Sequence, residues 1–185
     1  MEGVFLTLVG AALFCQSWYV LGLYSEGRTM GIFVGGLGVL SLGAVTLTPM
    51  LLTAVPGVSS PDLLAEVTIT EMLITVWALY AIGVAAHGLW DFDERAIGFY
   101  SAFLAVATII PFIYYVTELE GAYSNGVWLG MAGASLALAV VAGMMFFALS
   151  FSFNVLRLVS GWFLLLGGST VGIVGLAMLS TAISN

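Results

Sequence analysis

The sequence predicts an all-α integral membrane protein, a six-helix bundle, on three observations. Of its 185 residues, 62% are hydrophobic and only 7% are charged, against roughly 25% charged in an ordinary soluble domain. The apolar residues gather into six segments, each long enough to cross a bilayer, where about 20 residues of helix are needed. Those segments are too long and too uninterrupted for a membrane barrel, whose strands run about ten residues and alternate polar with apolar. Helices are the remaining solution, because backbone polar groups in lipid must be satisfied within the segment.

In chain order, the first helix is expected over 3–24, interrupted by Gln16 with Tyr19 one turn later on the same face. No basic leader region precedes it, so it reads as a retained helix rather than a signal peptide. A turn with Arg28 leads to a second helix over 30–54. Pro56, Gly57 and Pro61 then mark a loop. The third helix is expected over 63–90, a length of about 40 Å, so its ends reach past the roughly 30 Å hydrocarbon core. It carries Glu71, Tyr80 and His87. At about 100° per residue, Tyr80 and His87 share a face with Leu73 and Val76, and Glu71 falls on the opposite face with Thr68, Thr75 and Ala78. The charged stretch Asp91 to Arg95 precedes a fourth helix over 97–117, where Pro111 predicts a kink. A polar, acidic loop, a fifth helix over 127–151, a turn with Asn154 and Arg157, and a sixth helix over 159–182 complete one transmembrane domain.

The chain has three basic residues, Arg28, Arg95 and Arg157, and they follow helices one, three and five. All three therefore fall on one side, which the positive-inside rule assigns to the cytoplasm. Both termini, with Glu2, Asp62, Glu66, Glu118 and Glu120, are expected on the outer side.

Several function classes drop out. A net charge of −7 is the reverse of a nucleic-acid footprint. One histidine and one cysteine, Cys15, give neither a bis-histidine haem nor a clustered metal site. No nucleophile and base lie in a recognisable motif, and no motif anchors an acidic residue or a serine near His87, so neither an enzyme nor a cofactor is expected. The small-residue spacings Gly31-x-x-x-Gly35 and Gly168-x-x-x-Gly172 predict close helix packing, in the bundle or in an oligomer.

Gly3 and Gly10, the run Phe33-Val34-Gly35-Gly36-Leu37, Tyr80, His87, Asp93-x-Arg95, Tyr100-Ser101, Pro111 and Asn154-Val155-Leu156-Arg157 occur in order from the first helix to the last. Together they resemble the AmiS/UreI family of short-chain amide transporters and urea channels. The resemblance implies a twisted six-helix bundle, one pore per protomer, a homo-oligomer that is hexameric in the urea channel, and urea or a short-chain amide as permeant. It also implies that Tyr80 matches a pore-lining tyrosine and that Gln16 stands where the channel has another amide. The chain departs from the pattern in its fifth helix, where 129–141 has no aromatic residue in place of pore-facing tryptophans, and at Phe153 and Gly167, near which the channel has acidic residues.

The physical demand on such a pore is independent of the family. A flat neutral amide loses its water partners on entering a low-dielectric passage, at a cost of several kcal/mol unless the wall replaces them. Gln16, Tyr19 and Tyr80 offer donors and acceptors without charge, so ions find no compensation there. Glu71 is the one acidic residue well inside an apolar segment, and it completes the candidate pathway set. The expected function is passive permeation of small neutral solutes through a multi-pass protein of a prokaryotic inner membrane. The alternative is an accessory subunit of a larger membrane complex that has kept the bundle and lost the pore.

Overall fold

A computed structural model describes residues 2–23, 26–53, 61–119, 126–151 and 154–184, with side chains over 3–23, 26–47, 69–117, 128–151 and 155–180. The expected outer loops over 55–60 and 120–125, and Phe153, lie outside the described residues. The described residues form six helices: α1 (Glu2–Val20), α2 (Gly27–Thr53), α3 (Pro61–Trp90), α4 (Glu94–Leu119), α5 (Gly126–Phe151) and α6 (Asn154–Ser184). Each is long and apolar enough to cross a membrane, which makes the chain a multi-pass membrane protein.

The helix ends differ from the sequence expectation for local reasons. The first helix stops at Val20 rather than Tyr24, because Gly22 takes a left-handed φ of 72°. The Leu23 amide donates to the Trp18 carbonyl at 3.0 Å and the Gly22 amide to Tyr19 at 3.1 Å, the paired bonds of a Schellman cap. The even-numbered helices begin earlier than expected. Arg28, Arg95 and Arg157 therefore sit in first turns rather than loops. At α4, the Asp93 carboxylate accepts from the Arg95 amide at 2.9 Å, and Glu94 in the first turn complements the positive end of the helix. Pro111 is accommodated inside α4 without ending it.

The helices form a ring in chain order, in which α1 also meets α6. Three pairs are closely packed, α1 with α6, α2 with α3 and α4 with α5, and looser seams join them. Glycine permits the close approach. A Cβ on Gly175 would lie 2.5 Å from the Thr7 amide nitrogen of α1, and one on Gly88 would lie 2.5 Å from the Gly27 carbonyl of α2. The glycine spacings therefore serve packing within the chain: Gly168 meets Leu13 and Phe14 of α1, and Gly31 and Gly35 meet Ala85 of α3. Gly36, by contrast, has nothing near it.

The α3/α4 seam is held differently, by side-chain hydrogen bonds. Thr70 and Tyr115 hydroxyls lie 2.9 Å apart, the Trp77 indole donates to Thr108 at 3.1 Å, and the Tyr100 hydroxyl donates to the Val76 carbonyl at 2.9 Å. Seven residues separate Thr70 from Trp77 and Thr108 from Tyr115, two helical turns, so antiparallel helices repeat the contact at the same level. Outward faces carry Ile32, Phe33, Leu40, Phe103, Ile110 and Ile173, all exposed, as a lipid-facing surface requires.

Candidate functional site

All six helices line one cavity of about 240 Å³ at the arginine-bearing end of the bundle. Tyr19 of α1, Met30 of α2, His87 of α3, Glu94 of α4, Met145 of α5 and Arg157 of α6 each contribute. A space shared by every helix of a ring lies on the ring's axis.

Its mouth is polar. The His87 Nε2 is 3.2 Å from the Glu94 carboxylate, and its Nδ1 is hydrogen-bonded to the Phe92 carbonyl. The imidazole thus ties the end of α3 to the start of α4. An acidic residue thus accompanies His87 although no motif anchors it there, since a three-residue connection folds Glu94 back over the last turn of α3. Asp91, the first residue of that connection, has a φ of 55°, and its amide closes α3 onto the His87 carbonyl at 2.9 Å. Ser160 lines the same cavity, but its hydroxyl donates to the Leu156 carbonyl of its own helix at 2.7 Å. The three side chains are therefore not arranged as a nucleophile, base and acid. Among the described residues no group of three His, Cys, Asp or Glu side chains could hold a metal ion.

Gln16 lines this cavity and also a second one of only about 10 Å³, bounded by Leu13, Val34, Trp77 and Tyr80 among others. The second space has room for about one water and none for an amide. Between the two, the Gln16 amide donates from Nε2 to the Tyr80 hydroxyl at 2.9 Å, and that hydroxyl faces Gln16 Oε1 at 3.3 Å as a donor. Both residues are buried, at 4% and 3% exposure. Tyr80 is in turn fixed by edge contact with the Trp77 ring, centroids 5.5 Å apart. Tyr115 packs against Trp128 at 5.7 Å. Aromatic residues inside the bundle therefore include Trp77, Tyr80 and Tyr115 of α3 and α4 and Phe5 of α1, although 129–141 has none.

No protein-family model and no curated protein sequence matches the chain. Solved structures do. A cryo-electron microscopy structure of the Helicobacter pylori urea channel in its closed state superposes with a TM-score of 0.74 at 17% identity, over 97% of each chain. The crystal structure of the urea channel from the same human gastric pathogen gives 0.69 at 18% identity, over 91% of each chain. The chain has the fold of a urea channel. That fold agrees with the resemblance drawn from the ordered motifs, and it extends end to end.

Of the four residues expected on the pathway, Gln16 and Tyr80 are brought into direct contact, and Tyr19 lines the cavity beside Gln16. Glu71 lines neither cavity. It is half-buried, with one carboxylate oxygen buried and unpartnered among the described residues, while its backbone carbonyl accepts from Thr75 at 2.7 Å. Sequence reasoning passed over the Trp77, Thr108, Thr70 and Tyr115 set. The available signal was the matched seven-residue spacing on two antiparallel helices.

Proposed function

We propose that this protein is a membrane channel for small neutral solutes such as urea or short-chain amides, which cross passively along the axis of each six-helix ring. The observation that carries this reading is the axial cavity contributed by all six helices, lined by the uncharged Gln16 carboxamide that is paired with the Tyr80 phenol. Such groups replace the hydrogen bonds a flat amide gives up on leaving water, and they offer an ion no countercharge. The urea-channel fold supports it, and a cavity of this size counts against a bundle that has lost its pore. No step of bond making is required, so the reading is transport rather than catalysis.

In this proposal Gln16, Tyr19 and Tyr80 form the solute path, and Glu71 contributes from outside the axial cavity. The arginine end faces the cytoplasm and both termini face outward, in a prokaryotic inner membrane. Labelling of single cysteines at Ser59 and Asn125 by an impermeant reagent in intact cells tests that orientation, with Arg28 and Arg95 replacements expected to be protected. The protomers assemble as a homo-oligomer of separate pores, on the model of the family hexamer.

Stopped-flow light scattering on proteoliposomes tests the function. Urea and acetamide should equilibrate faster than in empty vesicles, while potassium should not. Rates equal to those of empty vesicles for both solutes would refute it.

A further inference from the structure

We infer that the Gln16 side chain is a tethered stand-in for the permeating solute, plugging the passage by occupying on Tyr80 the site a primary amide would take. This rests on the channel reading above and specifies its substrate class. A glutamine side chain ends in a primary carboxamide, chemically an acetamide on a stem. Here that group is docked reciprocally: its N–H donates to the phenol oxygen and its carbonyl faces the phenol O–H. It makes no other hydrogen bond among the described residues, and it stands where the larger cavity gives way to the smaller.

A solute arriving in the larger cavity meets the Gln16 side chain on its wall, and it reaches the Tyr80 hydroxyl behind it by taking that place. A molecule with N–H and carbonyl on the same carbon, such as urea, formamide or acetamide, can donate to the Tyr80 oxygen and accept from its hydroxyl just as Gln16 does. The exchange leaves the phenol satisfied, and the released Gln16 amide pairs with the solute itself. An amide with no N–H can only accept. It would leave the phenol oxygen buried without a donor, a desolvation penalty, and its one carbonyl would have to serve both the phenol O–H and the displaced Gln16 N–H. The pair therefore selects for N–H as well as for size, and a tertiary amide should be rejected more strongly than its added methyl groups explain.

Flux of acetamide and of N,N-dimethylacetamide, measured separately in proteoliposomes of the parent, Gln16→Ala and Tyr80→Phe, tests this. Gln16→Ala removes the plug and keeps the dock, so acetamide flux should rise about threefold or more and the acetamide preference should fall by a similar factor, the scale of one hydrogen bond. Tyr80→Phe retains the ring packed on Trp77 and should lose the preference as well. An acetamide rate in Gln16→Ala at or below that of the parent, or a preference unchanged in both variants, would overturn the inference while leaving a conducting parent as a channel. If neither the parent nor Gln16→Ala carries acetamide or urea faster than empty vesicles, the channel reading itself falls, and this inference with it.

Discussion

The α1/α6 and α3/α4 contacts solve the same problem, joining two apolar helices in lipid, by opposite means. Between α1 and α6, glycines let backbones touch, and Gly10, Gly168 and Gly175 meet main-chain atoms of the other helix. Between α3 and α4 the backbones approach less closely, and Thr70, Trp77, Thr108 and Tyr115 span the gap with hydrogen bonds. Lipid tails are as apolar as leucine, so close packing and polar contacts are the forces left to bind helices. The first kind of contact is rigid and offers a solute nothing. The second holds hydroxyls and an indole N–H inside the bundle, on the helix that also carries Tyr80. The difference separates residues that hold the ring together from residues that can take part in what passes through it.

The largest effect should come from the rigid contact. Gly175→Leu drives a side chain into the Thr7 backbone, which cannot give way as a flexible side chain would. Overpacking of this kind costs about 1–3 kcal/mol and sometimes more. No folded protein should be recovered in mild detergent, and a monodisperse, helical Gly175→Leu protein would remove the distinction between the two contacts.

Next is a change at the polar pair. Gln16→Leu keeps the volume of the plug but can neither dock on Tyr80 nor exchange with a solute. Acetamide flux should fall about tenfold, equivalent to about 1.4 kcal/mol, close to the net value of one hydrogen bond. Water flux should fall less, because water needs fewer partners. Equal proportional losses of both would mean that Gln16 acts by bulk alone. With Gln16→Ala expected to move acetamide flux the other way, the two substitutions separate filling from pairing.

At the α3/α4 seam, Trp77→Phe replaces a buried indole by a smaller ring and deletes the N–H that reaches Thr108. Thr108 keeps its bond to the Leu104 carbonyl at 2.7 Å, so nothing is left wholly unpaired. The lost hydrogen bond and the space left behind should together cost about 2 kcal/mol, read as a drop in melting temperature in detergent. A loss as severe as that of Gly175→Leu would make this seam the main support of the ring. Gly36→Leu should be the mildest, since nothing lies near that position and the protomer fold should be unaffected. Native mass measurement then reads whether copies of the chain meet at that face.

How legible this was in the sequence depends on whether a feature is local. Six apolar segments gave six helices, because segment length against bilayer thickness is a property of each stretch alone. The ends shifted where charge was read as loop: Arg28, Glu94 and Arg157 lie in helical first turns, and Gly22 ended α1 inside an apolar run. Gln16 and Tyr80 stood out singly as polar groups deep in apolar segments. Their mutual hydrogen bond depends on the register of α1 against α3, which packing across the whole ring sets. The His87 and Glu94 contact was missed because six residues and a tight turn intervene, although Asp91, tolerant of a left-handed turn, was in view. Trp77 and Thr108 read as ordinary members of apolar helices until both helices were aligned in antiparallel.

The central claim is that solute moves along the axial cavity shared by all six helices, rather than through lipid or between protomers. Ala148 lines that cavity and is buried, so Ala148→Trp places an indole in the cavity without disturbing an outer face. Urea influx into proteoliposomes should drop to the rate of empty vesicles, while circular dichroism and gel filtration match the parent. An Ala148→Trp protein that is folded and carries urea at the parent's rate would contradict the account.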